Sequence, residues 1–125
     1  MRGQLTLPIG GTRLHPVKAT ALARRVDPDW RDQAACTGAK DPDAWFPDPS
    51  NRWTFLGEPL NACAGCPVRR SCLAAALLRD EAGIWAGTDR RDRRPALTRL
   101  AAGAPVDLVL DELLYKARTR AKETA

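Results

Sequence analysis

The residues whose types and spacing point to chemistry are four cysteines. Three fall in Asn61-Ala-Cys-Ala-Gly-Cys-Pro-Val-Arg-Arg-Ser-Cys-Leu73, as Cys63-x2-Cys66-x5-Cys72, and Cys36 lies 27 positions upstream of Cys63. Four thiolates are the complete ligand set of one iron–sulfur cluster or one structural zinc. Two disulfides, or unconnected buried thiols, are the plainer readings. Zinc sites favour two matched short-spaced Cys pairs, or one Cys pair with one His pair. Here there is one such pair, one lone upstream Cys and a single His15. Clusters are larger and accept irregular spacing. The spacing therefore favours iron–sulfur over zinc, and either over disulfides, while leaving all three open.

The setting argues the same way. The start of the chain has no apolar run long enough for a secretory signal and no 18-residue apolar stretch follows, which places the protein in the cytoplasm with no membrane contact. Structural disulfides are disfavoured there, and Cys clusters usually hold metals. In 125 residues, hydrophobic types make up 44%, but Phe and Tyr contribute only three residues. So thin a core leans on a cross-link, and loss of the metal is expected to melt much of the fold. Charge is uneven. Residues 27–58 carry seven acids against three bases, a balance of −4, and residues 88–125 carry nine bases against six acids, a balance of +3. The overall charge of +5 permits nucleic-acid contact.

The elements that must position the thiols are helical. Residues 1–18 read as a flexible arm, broken by Pro8, Gly10-Gly11 and Pro16. Residues 19–35 predict helix in two pieces, with Asp27 as N-cap before Pro28. Residues 37–60 hold four prolines and predict a loop, with Gly57 and Pro59 breaking any helix before Cys63. Pro67 suits a first helical turn, and a helix from there to Gly83 would aim its N-terminal amides at a negatively charged cluster. Residues 83–87 form a Gly-bracketed turn, residues 95–102 a short helix, and residues 106–122 a last helix. Its apolar stripe runs through Val106, Val109, Leu110, Leu113, Leu114 and Ala117. No strand is readable. The expected fold is all-α: a flexible arm (1–18), a cluster-stapled domain (19–94) and a helical, basic extension (95–125).

In order, Trp30-x4-Ala35-Cys36, Asp41-Pro-Asp-Ala-Trp-Phe-Pro47, Cys63-x2-Cys66-Pro-Val-Arg-x2-Cys72-Leu and Gly83-Ile-Trp85-Ala-Gly87 resemble the WhiB-like regulators of actinobacteria and their phages. The resemblance covers about residues 28–94. It implies a [4Fe–4S] cluster on Cys36, Cys63, Cys66 and Cys72, responsive to redox change and nitric oxide, with Zn2+ as the alternative. It also implies transcription regulation through the C-terminal region of the principal sigma factor, with Gly83, Ile84, Trp85, Ala86 and Gly87 as the partner-binding turn. The chain departs from the family in three places: Ala86 stands where the family's turn usually has Gly, Gly57 and Pro59 precede Cys63, and a long amphipathic helix replaces a short basic tail.

Of the aromatics, Trp30, Trp53 and Phe55 read first as core filling, and Trp45 and Phe46 must also fold onto something apolar. Arg90, Arg91, Arg93 and Arg94 read as weak, backbone-directed DNA contacts, and Lys116, Arg118, Arg120 and Lys122 as a second basic set. The last helix serves the domain itself, a homodimer or a partner. No enzymatic role is expected. The alternative functions are a protein disulfide reductase using the apo cysteines, and a structural zinc adaptor.

Overall fold

Five helices and two short 3-10 turns make up the protein in a computed structural model that describes residues 14–48 and 57–124. The helices are α1 (Pro16–Ala23), α2 (Gly57–Ala64), α3 (Arg69–Arg79), α4 (Arg90–Ala101) and α5 (Val106–Thr124); the 3-10 turns are Trp30–Gln33 and Pro42–Trp45. There is no strand among the described residues beyond one isolated bridge, Trp85 to Thr88. The all-α expectation therefore holds. Trp53, Phe55 and residues 1–13 of the expected arm lie outside the described residues.

Several boundaries differ from the sequence reading, each for a local reason. Pro16 does not break structure but opens α1, where its missing amide costs nothing, and the His15 imidazole accepts from the Val17 amide at 3.2 Å. Pro59 likewise sits in the first turn of α2, so Gly57 and Pro59 do not prevent a helix before Cys63. The helix carrying Cys72 ends before Gly83. Asp80 takes a left-handed conformation (φ 50°), its amide donates to the Leu77 carbonyl, and the Glu81 amide reaches back to the Ala76 carbonyl at 3.0 Å. That is a Schellman ending with Asp in place of Gly. The fourth helix starts at Arg90 and not at residue 95, because Asp89 and Asp92 form a reciprocal capping box ahead of Pro95. A domain boundary at 94/95 thus falls inside α4.

Two apolar clusters result. The larger is formed by α1, α3, α4 and α5 around Leu22, Leu73, Leu77, Leu97, Leu100, Val109, Leu110 and Leu113. Ala74 and Ala96, also within it, let backbones approach closely. The smaller joins Trp45, Leu60, Cys63, Ile84 and Ala121, where α2 and the Pro42–Trp45 turn meet the far end of α5. The α5 stripe from Val106 to Ala117 is buried against its own chain, so it is spent on the domain and is not a free surface for a homodimer. Asp107 and Asp111 clamp α5 to α3 through Arg70 (2.8 and 2.6 Å), and Asp107 also to the segment just after α1 through Arg25 (2.8 Å). Arg25 and Arg70 hold the Asp107 carboxyl well below the usual carboxylate range. No described helix is long and apolar enough to cross a membrane.

Candidate metal centre

Each thiol arrives on a different element. Cys36 follows the Trp30–Gln33 turn, Cys63 sits near the end of α2, Cys66 lies in the α2–α3 connection and Cys72 lies one turn into α3. All four are free, and all four line a single cavity of about 220 Å³. Its other walls are apolar: Trp30, Ala34, Ala39, Trp45, Ile84 and Ala86, with Arg31 and Arg69 at its edge. The fold thus gathers the four residues that the spacing singled out.

The polar groups of the lining are aimed at sulfur. The Ala35 amide donates to Cys66 Sγ at 3.4 Å. The Gly87 amide and the Trp45 indole N–H face Cys63, and the Ala86 amide faces Cys72. Trp45 Nε1 is buried and reaches no acceptor at ordinary hydrogen-bond geometry, so a thiolate-bearing group in the cavity is the partner that would satisfy it. Burial, reinforced by the neighbouring thiols, pushes the Cys63 thiol up and the Cys72 thiol to about 12. Cys63 is buried, Cys66 and Cys72 are partly so and Cys36 is exposed, and thiolates at the inner positions would call for compensating positive charge such as a metal supplies.

Four thiols with apolar walls are the kind of donor set that a thiolate-ligated cluster uses. Four thiolates on one zinc, each at ~2.3 Å, stand within about 4 Å of one another. Among the described residues no three His, Cys, Asp or Glu side chains converge in that way. The thiols instead surround a space with room for several atoms.

The turn after α3 closes the cavity. Trp85 and Thr88 exchange backbone hydrogen bonds at 2.9 Å, and Ala86 (φ 53°) and Gly87 (φ 78°) between them are both left-handed. That is a two-residue turn of the type I′ class. Ala86 tolerates a conformation that glycine adopts freely, and its methyl is buried in the main core in return. Gly83 (φ 90°) cannot be replaced cheaply, since a Cβ there would stand 2.6 Å from the Phe46 ring and 2.8 Å from the Trp45 carbonyl oxygen.

Of the five residues read as a partner-binding turn, Ile84, Ala86 and Gly87 are buried and Gly83 packs under Phe46. They shape the turn and do not offer side chains to a partner. Trp85 is half-exposed. Its ring lies 6.0 Å from that of Trp30, and the Arg31 guanidinium stacks over both, at 4.7 Å from Trp30 and 5.9 Å from Trp85. Trp30, read as core filling, is indeed buried (7% exposed), and it lines the cavity beside Trp85.

Arg93 is the clearest correction. It is 1% exposed, so it is no phosphate contact. Its guanidinium donates to the carbonyls of Thr88 (2.6 Å), Glu81 (2.6 Å) and Gly83 (3.1 Å) and to the Thr88 hydroxyl (3.0 Å). Burial lowers it to about 10, still charged at neutral pH, with Asp89, Cys72 and Asp92 opposing the shift. Arg90 pairs with Asp80 at 3.5 Å. Arg90, Arg91 and Arg94 line a second groove with Phe46, Pro47 and Asp48.

Asp92 has a side chain only 1% exposed and pairs with Arg120 (2.9 Å) and Lys116 (3.5 Å) from α5. Burial alone would push its carboxyl up; the Arg120 guanidinium, the Asp89 amide and the Lys116 charge outweigh that and hold it at about 2. A carboxyl depressed in the folded state adds stability above its ordinary value of 3.8, and that stability fades as pH falls from there through 2. Asp92→Asn should therefore unfold at lower urea than the parent at neutral pH, with the gap closing between about pH 4 and pH 2. A gap of constant size would show that the pair is not what ties α5 to α4. The Asp89-x2-Asp92 pattern ahead of a helical run was the signal for this cap; nothing in the sequence signalled that Arg120 would pair with Asp92 or that the Trp45 indole would face Cys63.

Residues 30–96 match the sequence model of the family described as transcription factor WhiB. Transcriptional regulator WhiB2 of Mycobacterium tuberculosis is 42% identical over 66 residues, which cover 52% of this chain and 70% of that protein. Transcriptional regulator WhiB2 of Mycolicibacterium smegmatis is 41% identical over 66 residues, 48% of its length. The probable transcriptional regulator WhiB7 of Mycobacterium tuberculosis is 49% identical over 48 residues, 38% of this chain and 49% of that protein. No solved structure matches the chain.

Proposed function

Because the chain belongs to the WhiB family of transcriptional regulators, we propose that Cys36, Cys63, Cys66 and Cys72 hold a [4Fe–4S] cluster and that its redox or nitric oxide chemistry controls transcription. The observation that carries this reading is the single apolar cavity shared by four free thiols, with backbone amides and an indole N–H directed at sulfur. Hydrogen bonds to sulfur and a dry surround are the protein's means of tuning a cluster. When bound, the cluster supplies electron transfer and reactivity toward oxygen and nitric oxide. The chain's own residues ligate, exclude water and orient. Trp30, Trp45 and Ile84 wall the cavity, while Arg31 and Trp85 form its outer rim.

Iron and acid-labile sulfide in protein prepared without air test the reading: about four of each per chain are expected. Stoichiometric zinc without sulfide would sink it. The attacking thiol of a disulfide reductase is normally depressed, whereas burial pushes Cys63 up.

The output we propose is contact with the C-terminal region of the principal sigma factor through the Trp85 rim, with adjacent promoter DNA held weakly along its backbone. Aromatic and Arg side chains at a partly exposed rim are the usual anchors of an interface. On the DNA side, Arg91 and Arg94 remain the candidates from the first basic set, with Arg118 and Lys122 on the exposed side of α5. Trp85→Ala should weaken sigma-factor binding by about 2 kcal/mol, roughly 30-fold, while iron and sulfide stay at parent levels. Titration calorimetry with metal analysis checks both numbers. A variant that loses its cluster during purification would make Trp85 a wall of the cavity and not an anchor.

A further inference from the structure

We propose that Arg120, 48 positions beyond the last ligand, is a positioning residue for the metal centre: it fixes the 85–88 turn so that the Ala86 and Gly87 amides stay aimed at Cys72 and Cys63. The inference rests on the cluster reading above. It concerns the far end of α5, which lies outside the span of residues 30–96 matched to the family.

The turn needs an external clamp. Its two central residues both have positive φ, and Gly87 is the residue with the widest backbone freedom in it. Arg120 provides one. Nη1 donates to the Gly87 carbonyl at 3.2 Å, and Nη1 and Nη2 hold the Asp92 carboxylate at 2.9 and 3.0 Å. Asp92 is itself fixed, since its carboxylate accepts from the Asp89 amide at 2.9 Å in the α4 cap. The guanidinium thus ties the turn to the start of α4 and to α5 at once. A bidentate pair with a side chain 14% exposed on one partner and 1% on the other is held in one geometry.

Packing leaves the turn little room to go elsewhere. A Cβ at Gly87 would stand 3.0 Å from the Ala117 Cβ and 3.8 Å from the Cys63 Cβ, so the turn is wedged between α5 and a ligand. Ala121, one residue past Arg120, packs in the same small cluster as Cys63, Trp45 and Ile84. Release of Arg120 would unpin the Gly87 carbonyl, let the backbone swing about Gly87 and so carry the Gly87 amide on its other side away from Cys63, and let α5 lift from the cavity. Amides aimed at thiolate sulfur stabilise negative charge on it, and losing such a contact typically costs 10–100-fold in metal retention.

The test uses the full chain, prepared without air, as the parent, Arg120→Gln, Arg120→Lys and Arg99→Ala. Arg99 pairs with Glu112 between α4 and α5, on helix faces away from the cavity, and so controls for simple loss of a helix–helix contact. Cluster absorbance is followed on exposure to air at a temperature where circular dichroism shows every variant folded, and the midpoint potential is measured alongside. Arg120→Gln should lose its cluster roughly ten times faster than the parent, with a lower potential. Arg120→Lys, which keeps a charge for Asp92 but cannot fork to Gly87, should fall between. Arg99→Ala should match the parent. Should Arg120→Gln not fold, Arg120→Lys against the parent carries the test, with a faster loss supporting the inference and an equal rate overturning it. Equal rates and potentials in parent and Arg120→Gln overturn it, as does an equal acceleration in Arg99→Ala. A parent without iron and sulfide removes the cluster reading and this inference together, whereas a brown parent with an unaffected variant removes only this one.

Discussion

Replacing Arg93 by Ala is expected to destabilise the protein by about 3–5 kcal/mol, enough to unfold much of it at physiological temperature. The buried guanidinium makes four hydrogen bonds, three of them to carbonyls of the segment between α3 and α4. Truncation removes the donor of the Glu81 and Gly83 carbonyls and leaves the Thr88 carbonyl only its bond from the Trp85 amide, each lost bond at a cost of ~1–3 kcal/mol unless water enters. It also opens a void between α4 and the turn. Arg93→Lys should recover little, because one ammonium cannot span carbonyls at residues 81, 83 and 88 together. Arg91→Ala, one turn surface away and exposed, should stay within about 0.5 kcal/mol of the parent. Urea unfolding of the three variants under anaerobic conditions separates these outcomes. An Arg93→Ala protein of parent stability with impaired DNA binding would restore the phosphate reading.

That contrast also marks where sequence reasoning reached its limit. Arg90-Arg-Asp-Arg-Arg94 looks like one charged patch, yet helical geometry sends Arg93 inward while Arg91 faces water. Charge identity is visible in a sequence; the side of a helix that a loop will cover is not. The ligands were legible because metal chemistry constrains residue type and spacing jointly. The α3 run and the α5 stripe were legible because their periodicity is strong. Helix α2 was not, since Gly57 and Pro59 act as breakers only in a helix interior and here occupy its first turn. The start of α4 was obscured by Pro95, although the Asp89-x2-Asp92 cap stood six positions earlier. The rim was half visible: Trp85 could be placed by its bracketing glycines, but its stacking with Trp30 and Arg31 depends on tertiary approach across more than 50 residues.

Cys72→Ser is expected to abolish cluster retention, as are Cys36→Ser, Cys63→Ser and Cys66→Ser, because each removes one of four thiolates and serine is a poor soft-metal ligand. The consequence for the fold should be uneven, which departs from the general melting that the thin composition suggested. The larger apolar cluster contains none of the four ligands among its fully buried members and joins α1, α3, α4 and α5. Its leucines alone, at ~1.5–3 kcal/mol for each buried side chain, give that half a core independent of metal. Among the described residues the smaller cluster has five buried members, one of them Cys63 itself, and it is the apolar packing of α2 and the Pro42–Trp45 turn. The segment bearing Cys36 is exposed on nearly every side and approaches the body mainly through Trp30 and the cavity. Without the cluster, α2 and residues 29–46 should therefore detach while the four-helix half persists. Since α2 holds only eight residues, far-UV circular dichroism should fall modestly. Hydrogen exchange should instead show protection lost across 29–46 and 57–66 and kept in α3 and α5. Cys72 itself sits on α3 beside the core, so Cys72→Ser and Cys36→Ser should give the same exchange pattern if cluster loss is the common cause. Uniform loss of protection through α5 would mean that the metal, and not the leucine core, holds the whole chain together.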